Sequence, residues 1–243
     1  MADIRDHDVS YKAGDTALEG YLAWDGKVSG PRPGVLLVHE WWGLNDYIRG
    51  RARQLAASGY AALAVDMYGG GRTADNPTDA NALMTAALAD VPAAEARFAA
   101  ARATLAAHES CDPARIAAIG YCFGGAVVLH AARIGMDLAG VVSFHGSLGA
   151  MHKAAPGSIT AHVLVCHGAA DEFVPDDEVA AFKQEMADAG ADLRFVAYED
   201  ALHGFTNPEA TSNGQKYDLP LKYDADADQR SWAEMLAFFD QVF

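Results

Sequence analysis

At 243 residues and 51% hydrophobic content, the chain is long enough for one large α/β domain, and with no linker-like stretch the reading is a single domain over 1–243. A formal charge of −15 excludes a nucleic-acid partner, because such binding depends on clustered Lys and Arg neutralising phosphates. No basic-then-apolar leader opens the chain, no apolar run approaches the roughly 18 residues of a bilayer span, and three cysteines without metal-like spacing suggest neither disulfides nor zinc; a cytoplasmic protein is expected, with no membrane partner and no stated oligomeric order.

Residues 9–22 alternate loosely around Gly14-Asp15, predicting an opening hairpin. Val35–Val38 and Ala61–Val65 are short, wholly apolar runs, as expected of strands covered by helices on both faces. Between them, Ile48, Ala52, Leu55 and Ala56 recur at helical spacing before Gly59, completing a β-α-β unit. His39-Glu40-Trp41-Trp42-Gly43 follows the first of these strands, and Asp66-Met67-Tyr68-Gly69-Gly70-Gly71-Arg72 follows the second. An Ala-rich helical region over about 78–108 is interrupted at Pro92.

Ile116–Ile119 then leads into Gly120-Tyr121-Cys122-Phe123-Gly124-Gly125 and an apolar helix. This is a strand-turn-helix with a G-x-nucleophile-x-G turn, in which flanking glycines avoid collisions at a crowded elbow. The central residue is cysteine, at a helix N-terminus whose dipole favours a thiolate and an oxyanion. Cys166, in an apolar run, lacks such a frame and reads as a buried structural residue, and Cys111 as an ordinary residue before a helix-to-strand turn.

Further strands are expected at 138–144, 163–166 and 193–198, helices at 176–189 and 226–243. The stripe Trp232, Met235, Leu236, Phe239 is core packing. Together the pattern is that of an α/β fold with a mostly parallel, doubly wound sheet, whose functional residues lie just after strands. The stretch 207–224, with Pro208, Asn213-Gly214 and Pro220, reads as long and irregular enough to shape a pocket mouth.

A thiol near its reference pKa of about 8.5 is mostly protonated at neutral pH, so hydrolysis needs a base and a group to orient it. Asp171 follows one later strand and His203 the next. The order nucleophile, acid, histidine is that of the α/β-hydrolases, with His203 exchanging a proton with Cys122 and Asp171 holding the imidazole tautomer. Backbone N–H groups of Trp41 and Phe123 are assigned to the oxyanion hole. Glu40 is read as an auxiliary base or a helix-region contact, His39 as structural. Trp42, Arg72, His145 and Phe205 are the candidate pocket residues, against bland readings of core packing, a solvated arginine and a satisfied buried histidine. No metal or cofactor is expected.

Through His39–Asn45, Gly59–Ala62, Asp66–Tyr68, the cysteine elbow, Asp171–Pro175 and His203–Phe205, the chain resembles the dienelactone hydrolase family of α/β-hydrolases over nearly its whole length. The resemblance implies a Cys122-Asp171-His203 triad with Glu40 as the thiol-contacting glutamate. It departs at the family's substrate-carboxylate arginines: Thr206-Asn207-Pro208 and 76–84 carry none. Losing bidentate clamps argues for a neutral, activated aryl or acyl ester as the small-molecule substrate, with phosphotriesters as a promiscuous extension. A dienelactone lactonase is the alternative within hydrolysis. A non-hydrolytic binding or thiol-redox protein is the alternative of another class.

Overall fold

Apolar strands alternating with capped helices make up the fold. The computed structural model describes residues 2–243 and contains eight strands and seven helices among the described residues. Contacts group the chain into two units, Met1–Ala118 and Ile119–Phe243. The division falls inside a strand, not at a linker.

In the first unit, β1 (Ile4–Ala13) and β2 (Thr16–Asp25) pair antiparallel from Ile4–Asp25 to Ala13–Thr16, and Gly14, at φ +57°, makes the turn. The predicted hairpin is therefore present, with longer arms. β3 (Arg32–Val38) and β4 (Ala61–Val65) pair parallel, β2 joins β4 antiparallel, and the strand order is β1-β2-β4-β3-β5, where β5 spans Cys111–Tyr121. Val35–Val38 and all of β4 are buried, as their uninterrupted apolar runs require.

Three helices accompany these strands: α1 (Asp46–Ala57), α2 (Pro77–Leu88) and α3 (Val91–Ala106). Asn45, Asn76 and Asp90 each cap one by accepting a backbone N–H. The break in the Ala-rich region lies just before Pro92, which sits in the first turn of α3, where its missing N–H costs no helical bond. Cys111 is buried, with its Sγ where a Cβ on Gly34 would lie, and burial pushes its thiol up to about 11. It is a packing residue, where the sequence showed only a residue before a helix-to-strand turn.

The second unit takes the end of β5 into α4 (Phe123–Arg133), then β6 (Gly140–Phe144), β7 (His162–Gly168), α5 (Asp176–Ala189), β8 (Leu193–Tyr198), α6 (Ala210–Tyr217) and α7 (Ala225–Val242). Its strand order is β5-β6-β7-β8, with β6/β7 and β7/β8 parallel. α7 buries Met235 and Phe239 as predicted, but the buried line also runs through Ala227, Ser231 and Phe238, leaving Trp232 and Leu236 at its half-exposed margin.

The stretch 207–224 is less irregular than its composition suggests, because α6 occupies its middle. Gly214, read as a turn residue, lies inside that helix. A Cβ there would come within 2.4 Å of the Leu221 carbonyl oxygen, so close backbone approach is what requires glycine. Among the described residues no helix is long and apolar enough to cross a membrane.

Candidate active site

The elbow is formed where β5 ends and α4 begins. Cys122, between Tyr121 and Phe123, has φ +52° and ψ −115°, a conformation that a non-glycine residue holds only under constraint. The constraint is visible on both sides. A Cβ on Gly120 would lie 2.0 Å from the Gly124 carbonyl oxygen, and one on Gly125 would lie 2.5 Å from Ser143 Oγ and 2.8 Å from Gly146 Cα. The Cys122 N–H donates to Phe144 O at 3.0 Å, and its carbonyl accepts from Gly125 N at 2.9 Å. Its thiol makes no capping bond to α4 and is partly exposed. The nucleophile candidate is thus presented to solvent at the positive end of a helix.

Asp171 and His203 come from the turns after β7 and β8. Asp171 Oδ2 accepts from His203 Nδ1 at 2.8 Å, while its Oδ1 accepts from the Phe173 N–H at 2.9 Å. Both residues are buried, the Asp171 carboxylate completely. With Nδ1 donating to the carboxylate, Nε2 is the nitrogen left for Cys122, and Cys122 is hydrogen-bonded to His203. Burial alone would lower the imidazole. The charge of Cys122, the Asp171 bond and the Cys122 bond outweigh it and raise His203 to about 10. The three residues predicted as a triad are brought together.

Around His203 the rings are specific. Phe173, half exposed at 48%, meets its face edge-on with centroids 5.1 Å apart. His145 meets it at 5.2 Å and 65° from the protein side. Two of the pocket candidates change character here: His145 and Phe205 are each fully buried, their rings 5.2 Å apart, and His145 Nε2 is hydrogen-bonded to Thr206 Oγ1 at 2.7 Å. Phe123 is the buried first residue of α4, directly after the nucleophile, where an α/β-hydrolase draws an oxyanion-hole N–H. His167 is buried as well, its imidazole lowered chiefly by burial.

The remaining candidates belong to the first unit, after β3 and β4. His39 is fully buried; its Nδ1 donates to Glu40 O at 2.6 Å and its Nε2 accepts from the Met67 N–H at 3.3 Å. Burial drives its imidazole down to about 4, so it is a neutral structural histidine, as read. Glu40 is buried, and the helix cap it was weighed for is made by Asn45 itself. Trp41 is half-buried and Trp42 buried, with their rings packed edge-on at 4.9 Å.

Arg72 is exposed, and its guanidinium donates to the carbonyls of Gly69 and Tyr68. That loop is itself gathered by Asp66, whose two carboxylate oxygens accept from the N–H groups of Glu19, Tyr68, Gly69 and Gly71. Arg72 therefore acts as a clasp on its own loop.

Sequence reasoning passed over Phe173, whose ring packs against His203, and Thr206, whose hydroxyl is bonded to His145. Phe173 was visible only as part of a motif, and Thr206 only as the absence of an arginine. Neither carries a local signal, since each matters through a ring or hydroxyl contact with a residue far along the chain.

With this geometry established, the comparisons are consistent. The family model described as "Dienelactone hydrolase family" matches residues 18–243. Protein usf of Aquifex pyrophilus is 30% identical over 241 residues, covering 96% of this chain and 97% of that protein. The crystal structure of a dienelactone hydrolase-like promiscuous phosphotriesterase from metagenomic libraries is similar at 38% identity and a TM-score of 0.93, with all of both chains covered. A dienelactone hydrolase from Anabaena variabilis, 20% identical with a TM-score of 0.63 over 88% of this chain and 95% of that one, shares the fold.

Proposed function

Since this chain belongs to the dienelactone hydrolase family and is a hydrolase acting on ester bonds, we propose that it cleaves neutral, activated aryl or acyl esters through a covalent Cys122 intermediate. The observation that carries this reading is that one buried imidazole, His203, is bonded both to Cys122 and to Asp171.

The chemistry follows from the charges. The Cys122 sulfur adds to the ester carbonyl, the oxyanion collapses, and His203 delivers its proton to the departing alcohol or phenol, leaving a thioester. The raised affinity of His203 for its proton comes from its neighbours Cys122 and Asp171 together, against the opposing effect of burial. Acylation removes the contribution of Cys122 to that raised affinity, so the imidazole is left neutral and able to accept a proton when water attacks. It then takes a proton from water, which attacks the thioester and releases the carboxylic acid. Asp171, its other oxygen occupied by the Phe173 N–H, keeps Nδ1 protonated and Nε2 available throughout. Glu40 is assigned as the thiol-contacting auxiliary base by the sequence resemblance, and the Trp41 and Phe123 N–H groups as oxyanion donors by their positions after β3 and after the nucleophile.

The absence of arginine from 76–84 and 206–208, together with the commitment of Arg72 to backbone carbonyls, supports a neutral substrate over a carboxylate-bearing lactone. The test compares a neutral aryl ester with a dienelactone, using wild type and Cys122→Ala. Faster neutral-ester turnover that disappears in the variant is expected. Preference for the dienelactone would instead assign lactonase activity, and Cys122-independent turnover of both would overturn the covalent route.

A second substrate is favoured by one finding, the 38%-identical relative described as a promiscuous phosphotriesterase. The same sulfur attacking a neutral aryl phosphotriester would release phenolate and leave a phosphorylated cysteine. Release no faster than with Cys122→Ala would remove this activity.

A further inference from the structure

His145 lies beside the catalytic histidine but out of reach of any substrate. Its residue surface is fully buried, so a wall of the pocket is not a role open to it. Its backbone is at φ +39°, in the left-handed region that disfavors a side chain.

The cause is local. After β6, Gly146 presses against α4 so closely that a Cβ on it would meet Ser143 Oγ at 2.4 Å and Gly125 Cα at 2.8 Å. The His145 N–H is meanwhile tied to Cys166 O at 2.9 Å. Between these constraints the side chain is turned inward. There it meets Tyr121, Phe205 and the His203 ring at centroid distances of 5.9, 5.2 and 5.2 Å, and bonds Thr206 Oγ1.

His203 is thus contacted at three points: by Asp171 at Nδ1, by the exposed Phe173 ring and by the buried His145 ring. An imidazole linked to its carboxylate by one hydrogen bond retains freedom to swing about that bond. The edge of a second ring behind it removes that freedom, provided the second ring is itself fixed. The Thr206 hydroxyl supplies that fixation, from a position three residues after His203 in the same turn.

We propose that His145, anchored by Thr206, is a positioning residue that holds the His203 imidazole in line between Asp171 and Cys122. The kinetic part of this inference rests on the hydrolase reading above; the geometric part stands without it.

The test is Thr206→Val, which keeps the shape and removes the hydroxyl, with Thr206→Ser as the rescue and His145→Phe, which keeps a ring but not its anchor, as a second variant should the first not fold. Folding is checked by circular dichroism. Two readouts are taken: kcat and KM for a neutral aryl ester, and the low-field proton NMR signal of His203 Nδ1–H. The expected result is a fall in kcat of about tenfold or more with KM within about twofold, a broadened Nδ1–H signal, and recovery of both in Thr206→Ser. An increase in KM at constant kcat would overturn the proposal, as would loss of thermal stability with an unchanged Nδ1–H signal. If wild type and Cys122→Ala turn over equally, the covalent Cys122 reading fails, and the Nδ1–H signal alone then decides the positioning role.

Discussion

At the scale of single residues, the glycines of the elbow and the buried histidines are the most consequential positions. Gly120→Ala places a methyl group 2.0 Å from the Gly124 carbonyl oxygen, a collision with backbone that no rotamer relieves. We expect it to destabilise by about 3 kcal/mol or more, measured by urea denaturation. Gly50→Ala, in α1 with nothing within 4 Å of the added carbon, should instead gain about 0.5–1 kcal/mol from helix propensity. Equal effects of the two would show that the elbow tolerates a side chain.

His39 makes the opposite kind of claim, one about pH. Burial pushes its folded imidazole down to about 4 from the usual value of about 6.5, so between these values the unfolded chain binds a proton that the folded chain refuses. Stability from this group is therefore complete above about 6.5 and is lost as pH falls toward 4, by about 3 kcal/mol in total. His39→Gln, which keeps a donor and an acceptor without the titration, should flatten the fall in unfolding free energy between pH 7 and 4. An unchanged slope would place the acid sensitivity elsewhere.

At the scale of elements, α5 does more than cover the sheet. Glu185 on its buried face accepts two bonds from Arg133 of α4, at 3.1 and 2.9 Å, and one from the Ala154 N–H. Arg133 also donates to Leu148 O at 2.7 Å. One helix turn pair earlier, Glu178 Oε1 accepts from the N–H groups of Leu148 and Gly149 at 2.7 and 2.8 Å. Two carboxylates seven residues apart on one helix face thus hold the segment that follows His145 and Gly146.

Arg133 is 1% and Glu185 8% exposed at the side chain, so removing one partner leaves a buried charge without its counterion. Glu185→Ala should cost about 3–5 kcal/mol and accelerate tryptic cleavage at exposed Lys153. Pairing Arg133→Met with Glu185→Leu should restore much of the stability while cleavage stays fast. A double variant as unstable as the single one would mean that the charge pair itself, not the stranded charge, carries the cost.

At the scale of the whole molecule, a charge of −15 bears on substrate choice independently of any one side chain. A dienelactone carrying a carboxylate approaches a field of its own sign, whereas a neutral ester does not. Raising ionic strength shortens the screening distance from about 30 Å at 0.01 M to about 8 Å at 0.15 M. We therefore expect kcat/KM for the anionic lactone to rise with salt and that for a neutral aryl ester to stay level. A flat response for both would show that the local potential at the site differs from that of the chain as a whole. The family match running from 18 to 243 includes residues of both units.

How much of this was legible in the order of residues depends on whether the signal is local. The strands were, because a strand buried on both faces needs an unbroken apolar run, and Val35–Val38 and Ala61–Val65 have one. So were the cysteine elbow, where Gly120 answers a collision with Gly124 four residues on, and the succession of Cys122, Asp171 and His203 after strand ends. Helix α6 was not, since Gly214 and Asn213 carry turn chemistry and only a close approach to the Leu221 carbonyl, seven residues on, makes glycine a helix residue there.

His39 was read as structural from the sequence, but the surroundings of His145 and His167 were decided by tertiary structure alone. Of nine in the chain, His39, His145 and His167 all follow or end a strand much as His203 follows one. What separates them is solvent access and the neighbour each ring meets. An imidazole acquires its function from the charges and hydrogen bonds around it, and residues as distant in sequence as Cys122, Asp171 and Thr206 become neighbours only when the strands that carry them are laid side by side.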